Sequence, residues 1–151
     1  MHLQKQPNRW SCVPTSFAMA LNVPVSDFIA HIGHDGSQII WPTLEEPHRR
    51  RGFHVQECID VAFRAGFAVT PIEVTPRHAP AEPVPAFSIL RGGSEAAALE
   101  RFADVVSHHR GVLTGYSHAV AFDHGIICDP NGTTYHYRPN FYCAWIIERT
   151  T

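Results

Sequence analysis

Four side chains in this 151-residue sequence have the types that acyl transfer uses: Gln6, Cys12, His118 and Asp129. A cysteine attacks as thiolate, so it needs a base, and the base needs a group to orient it. The stretch QPNRWSCVPTSFAMALN, residues 6–22, runs from a polar loop into an apolar helical pattern, with Cys12 at the change. Unpaired N–H groups and the dipole at a helix start favour negative charge and promote thiolate formation. The competing reading for any free cysteine is a small buried hydrophobe. Cys58 on an apolar helical face, and Cys128 and Cys143 inside apolar strands, fit that second reading. Position alone leaves both readings open for Cys12.

The base and its partner come from SHAVAFDHGIICDPNG, residues 117–132. If Asp123 and His124 form a two-residue hairpin loop, His118 stands directly opposite Asp129. If His124 and Gly125 form it, the two are diagonal neighbours on one face, because side chains alternate with period two. A three-residue loop without a bulge separates their faces. A surface histidine and a turn-starting aspartate are the plain alternatives, since DPNG is a good type I turn by itself. An oxyanion also needs donors. The Cys12 N–H is one, and the side-chain amide of Gln6 is a candidate for the other, with Gln4 as its competitor.

Elements must hold these groups in place. A first helix starts at Ser11 or Cys12, with Ser11 as N-cap, Pro14 in the first turn, and Val13, Phe17, Ala20 and Leu21 as a buried stripe. A second follows Pro24, capped by Ser26 and stopped by Gly33. The third, HVQECIDVAFRAG, puts Val55, Cys58, Ile59, Ala62 and Phe63 on one face and ends at Gly66. FAVTPIEVT reads as a strand interrupted by Pro71, hence an edge strand or two short pieces. Residues 76–93, rich in proline, read as a loop. SEAAALERFADVVSHH is a helix capped by Ser94, with Leu99, Phe102, Ala103 and Val106 inward. Then GVLTGYSHAVAFD, GIICD, TTYHYR and FYCAWIIE form strands in a meander. Helices first and antiparallel strands last give an α+β class in one domain, residues 1–151.

Bulk properties exclude other classes. With 44% hydrophobic and 17% charged residues, the chain is globular rather than disordered. Its net charge is −2 and its only basic run is HRRR at residues 48–51, so nucleic acid is not expected as a partner. No apolar stretch approaches the ~18 residues of a membrane span. The N-terminus has no apolar segment of signal type, so membrane association is not expected and a cytoplasmic location is. Four widely spaced cysteines without a C-x-x-C pair argue against a disulfide framework and a zinc site. The eleven histidines fall in no H-E-x-x-H spacing, so neither metal nor cofactor is expected.

With Gln6, Cys12, His118 and Asp129 in this order, the chain resembles the papain-like cysteine peptidases, most closely their C39-like, bacteriocin-processing-type branch. The five residues between Gln6 and Cys12, the small-residue helix CVPTSFAMALN and the H-A-V-A…D-P hairpin carry the likeness. The resemblance implies a papain-like fold, a Cys12 nucleophile, a Gln6 oxyanion donor, a His118 base and an Asp129 orienter. It implies a peptide or protein substrate. Val13 departs from the glycine common after that cysteine, and its branched side chain would crowd an acyl group. Leader cleavage coupled to export is not implied, because no membrane region or ATPase accompanies the domain here. Trp10, Val13, Trp41, Tyr116 and Ser117 are the expected cleft residues.

The expected activity is therefore hydrolysis of a peptide or isopeptide bond. The alternatives are transfer of the acyl group to an amine, as in a transglutaminase or acyltransferase, and an inactive papain-like binding module. Gly92–Gly93 in ILRGGSEAA reads as the turn before the Ser94 cap, with self-processing after Gly93 the minor alternative.

Overall fold

The computed structural model describes residues 1–73 and 95–150. Among them are four helices, α1 (Cys12–Leu21), α2 (Val25–Ile32), α3 (Val55–Arg64) and α4 (Glu95–His108). Six strands accompany them: β1 (Phe67–Glu73), β2 (Arg110–Thr114), β3 (Ala119–Asp123), β4 (Ile126–Asp129), β5 (Thr133–His136) and β6 (Cys143–Arg149). They form one antiparallel sheet in the order β1-β6-β2-β3-β4-β5, so the class is α+β as expected. The 76–93 loop, the Ser94 cap and Gly92–Gly93 lie outside the described residues.

Strand alternation sorts the core into two sets. Val112, Ala119 and Ile147 pack with Phe17, Ala18 and Phe28 beneath α1–α3. Leu113, Val120, Phe122 and Ile127 pack with Phe102 and Val106 of α4. Both faces of the central strands are therefore buried, which is why VLT and AVAF read as continuous apolar runs rather than alternating ones.

The sequence GVLTGYSHAVAFD is a hairpin, not one strand. Gly115 N–H donates to the His118 carbonyl at 2.8 Å, and Tyr116–Ser117 form the turn between β2 and β3. Neither turn residue carries the Asn-Gly or Gly-X signal that marks such loops. The simple meander also fails, because β6 returns to lie between β1 and β2. Its Cys143, Ala144, Ile146 and Ile147 are all buried, so it needs the central slot with cover on both faces. Gly111 makes that slot close: a Cβ there would meet the Trp145 carbonyl oxygen at 2.0 Å. β1 is an edge strand, the first of the two expected readings, and its pairing with β6 runs unbroken through Pro71.

Helix details depart in four places. α1 is buried all round from Pro14 to Leu21, not along one stripe, since it lies between the sheet and two helices. Ser11 does not cap it by side chain, because position N3 is Pro14 and offers no N–H. α2 starts at Val25, ahead of Ser26, because Gln4 Oε1 accepts the Val25 N–H at 2.8 Å. In α3, Val61 is buried with Cys58 and Ala62, while Phe63 is 69% exposed on the solvent side.

Candidate active site

Cys12 is the first residue of α1 and is partly exposed, whereas Cys58, Cys128 and Cys143 are buried. Burial pushes all three of those thiols up, Cys143 to about 11, and so holds them neutral. α1 keeps its start open. Ser11 turns its hydroxyl to Asn8 Oδ1, and its carbonyl accepts from Thr15 N–H and Thr15 Oγ1. Among the described residues no acceptor meets the Cys12 or Val13 N–H, so both remain available at the helix N-terminus.

His118 closes the β2–β3 turn, one residue before the ladder begins at Ala119. From there its Nε2 reaches Asp129 Oδ1 at 2.8 Å. With Nε2 on Asp129, Nδ1 is the nitrogen left for a hydrogen bond with the Cys12 thiol. This hydrogen bond with Cys12 is the main reason His118 is raised from 6.5 to about 9; burial opposes the rise, and Asp129 adds to it by hydrogen bond and charge. The register is set by a two-residue loop, His124–Gly125, with φ of 49° and 86°, the type I′ geometry. Ladder extension then makes His118 and Asp129 diagonal neighbours, the second of the expected arrangements.

Asp129 is only 4% exposed, and donors surround it. Oδ1 also accepts the Asn131 N–H at 3.0 Å, and Oδ2 accepts the Tyr135 hydroxyl at 3.0 Å. The DPNG turn forms as expected, with Gly132 N–H on the Asp129 carbonyl at 2.9 Å. Gly132 follows at φ 99°, closing a three-residue hairpin loop with a left-handed last residue.

Gln6 lies in the loop before α1, where its N–H bonds the Pro130 carbonyl at 2.8 Å beside Asp129. Its Nε2 donates to the Asn8 carbonyl at 2.6 Å, and Gln6 is not among the residues lining the cleft over Cys12. One of the two N–H groups on that nitrogen stays open. Gln4, the competitor, is engaged elsewhere at both ends of its amide, which spans the α1–α2 junction from the Val23 carbonyl to the Val25 N–H. Asn8 organises this loop, taking Trp10 N–H and the Ser11 hydroxyl on Oδ1. Its role has no motif in the sequence.

The cleft above Cys12 holds about 390 Å³. Trp10, Val13, Tyr116, Ser117 and His118 line it, together with Phe53, Glu73, Thr114, Tyr142 and Trp145. Trp10 is fixed by Nε1–H on the Asp35 carbonyl at 2.9 Å and by the Arg50 guanidinium over its ring. Trp145 Nε1–H bonds Thr114 Oγ1 at 3.0 Å, and Tyr116 tilts against Tyr142. Trp41 does not join them. It stands 60% exposed on the 36–52 excursion, where its N–H follows Ile40 onto the Arg49 carbonyl, and of that segment only Arg51 and Gly52 reach the cleft. The β6 contributors were not legible beforehand, because only the central placement of that strand brings them here.

No family model matches the sequence, and no curated protein does. A solved structure is similar along nearly the whole chain: a double glycine motif protease from an AMS/PCAT transporter, in complex with the leader peptide. The two share 13% identity, with 99% of this chain and 91% of that chain covered and a TM-score of 0.60. The fold is papain-like, of the C39 type.

Proposed function

We propose that the protein is a cysteine peptidase that hydrolyses a peptide or isopeptide bond, with Cys12 as nucleophile and His118 as base. The observation that carries this reading is the placement of one partly exposed cysteine, at N1 of α1, on a histidine whose other nitrogen is held by a buried carboxylate. Cys12 Sγ attacks the carbonyl carbon while His118 carries the proton. The Cys12 N–H and the Gln6 amide stabilise the oxyanion, for which Gln6 turns its open N–H from the Asn8 side toward the cleft. His118 then protonates the leaving amine, and water, deprotonated by His118, releases the acyl group. Asp129 fixes the imidazole tautomer and supports the imidazolium. The leader peptide bound to the similar protease supports a peptide as the substrate class. Aromatic walls and Val13 favour an apolar residue beside the cut bond.

Alkylation by iodoacetamide, followed by intact mass from pH 5 to 9, tests this. Cys12 should react below pH 7 and lose that reactivity in His118→Ala. Reaction only above about pH 8, as for an isolated thiol, defeats the enzyme reading and leaves a binding module. A peptide-library screen with and without added amines separates hydrolysis from transfer.

A further inference from the structure

The Asp129 carboxylate is gripped from two strands. Asp129 pairs directly with Thr133 of β5, so Tyr135, two residues on, is its diagonal neighbour on that side. His118 is its diagonal neighbour on the other side. The Tyr135 hydroxyl donates to Oδ2 at 3.0 Å, while His118 Nε2 meets Oδ1 at 2.8 Å. The Arg138 guanidinium lies 4.4 Å from the centre of the Tyr135 ring and sets its angle.

We propose that Tyr135 is a positioning residue for the base: it fixes the plane of the Asp129 carboxylate so that Oδ1 stays aimed at His118 Nε2. This rests on the peptidase reading of Cys12, His118 and Asp129. A carboxylate held at one oxygen pivots about its Cβ–Cγ bond, whereas donors on both oxygens fix its plane. The backbone N–H of Asn131 reaches Oδ1 only, so among the described residues Oδ2 depends on Tyr135. The phenol is suited to constant donation, since burial and then the Asp129 hydrogen bond hold its proton on through the neutral range. With the carboxylate fixed, the imidazole presents Nδ1 to Cys12 without searching.

The test compares wild type, Tyr135→Phe and Tyr137→Phe. Tyr137 is the control, because its buried hydroxyl has no hydrogen-bond partner among the described residues. Two readouts are taken at pH 6.5: the His118 Nε2–H proton resonance in ¹⁵N-labelled protein, assigned with His118→Gln, and the rate of Cys12 alkylation by iodoacetamide. Wild type should show a sharp downfield Nε2–H resonance. Tyr135→Phe should broaden it by exchange with water and slow alkylation roughly tenfold, as loss of one hydrogen bond to a charged group implies. Tyr137→Phe should match wild type in both.

An unchanged resonance in Tyr135→Phe overturns the proposal, as does its equal loss in Tyr137→Phe or its absence from wild type. If the resonance behaves as expected but wild-type Cys12 is inert at pH 6.5, the positioning role stands and the peptidase reading falls.

Discussion

His118 and Asp129 meet diagonally across β3 and β4, Nε2 to Oδ1 at 2.8 Å, rather than as a directly opposed pair. The diagonal leaves the second carboxylate oxygen free for Tyr135 from the next strand. It also turns the remaining imidazole nitrogen toward the start of α1, where Cys12 sits. Most of the expected behaviour of the site follows from this one register.

Removing the thiol should be felt at the histidine. Hydrogen bonding with Cys12 is the largest influence raising His118 to about 9. In Cys12→Ala the His118 titration midpoint, followed by NMR, should therefore move down. An unchanged midpoint separates the two side chains.

The same shift makes stability depend on pH. Below 6.5 the imidazole is protonated both folded and unfolded; between 6.5 and about 9 only the folded chain retains the proton. Its contribution is complete at low pH and is lost as pH rises through that window. Urea midpoints at pH 6 and 9.5 should fall more for wild type than for His118→Gln. Equal falls would place the dependence on other groups.

Asn8 should matter without touching substrate. Asn8→Ala removes the acceptor for Trp10 N–H and the Ser11 hydroxyl, and Ser11 is fully buried. A loss of about 1–3 kcal/mol is expected from denaturant unfolding. Cys12 alkylation should slow as well, because the loop that sets the start of α1 loosens.

Gly111 tests the return of β6 to the middle of the sheet. Alanine there would put its Cβ 2.0 Å from the Trp145 carbonyl oxygen, a clash with backbone that no rotamer relieves. Gly111→Ala should cost about 3 kcal/mol or prevent folding. Wild-type stability in that variant would mean that β2 and β6 are not neighbours.

On α3 the two faces should respond oppositely. Val61→Ala removes a buried side chain and should cost about 1–3 kcal/mol, while Phe63→Ala, on the solvent side, should stay within about 0.5 kcal/mol.

Much of the site was legible in local patterns. The change from QPNRWS to an apolar helix located Cys12 at a helix start, and period-two alternation narrowed His118 and Asp129 to two productive registers. Backbone periodicity and turn chemistry act within a few residues, so one strand pair or one helix end suffices to read them. Pro71 likewise marked β1 as an edge, and DPNG marked the β4–β5 turn.

Long-range packing decided the rest. Which of Gln4 and Gln6 stays near the site depended on Gln4 capping a helix twenty-one residues away. Phe63 and Val61 exchanged places because the packing of α3, not its own apolar count, chooses the buried face. Trp41 left the cleft because the 36–52 segment is tied to itself. Tyr135 joined the His118–Asp129 pair through a third strand, and Thr114 and Trp145 became cleft walls through the return of β6. None of these follows from spacing along the chain, since each depends on a contact whose partner only the assembled sheet supplies.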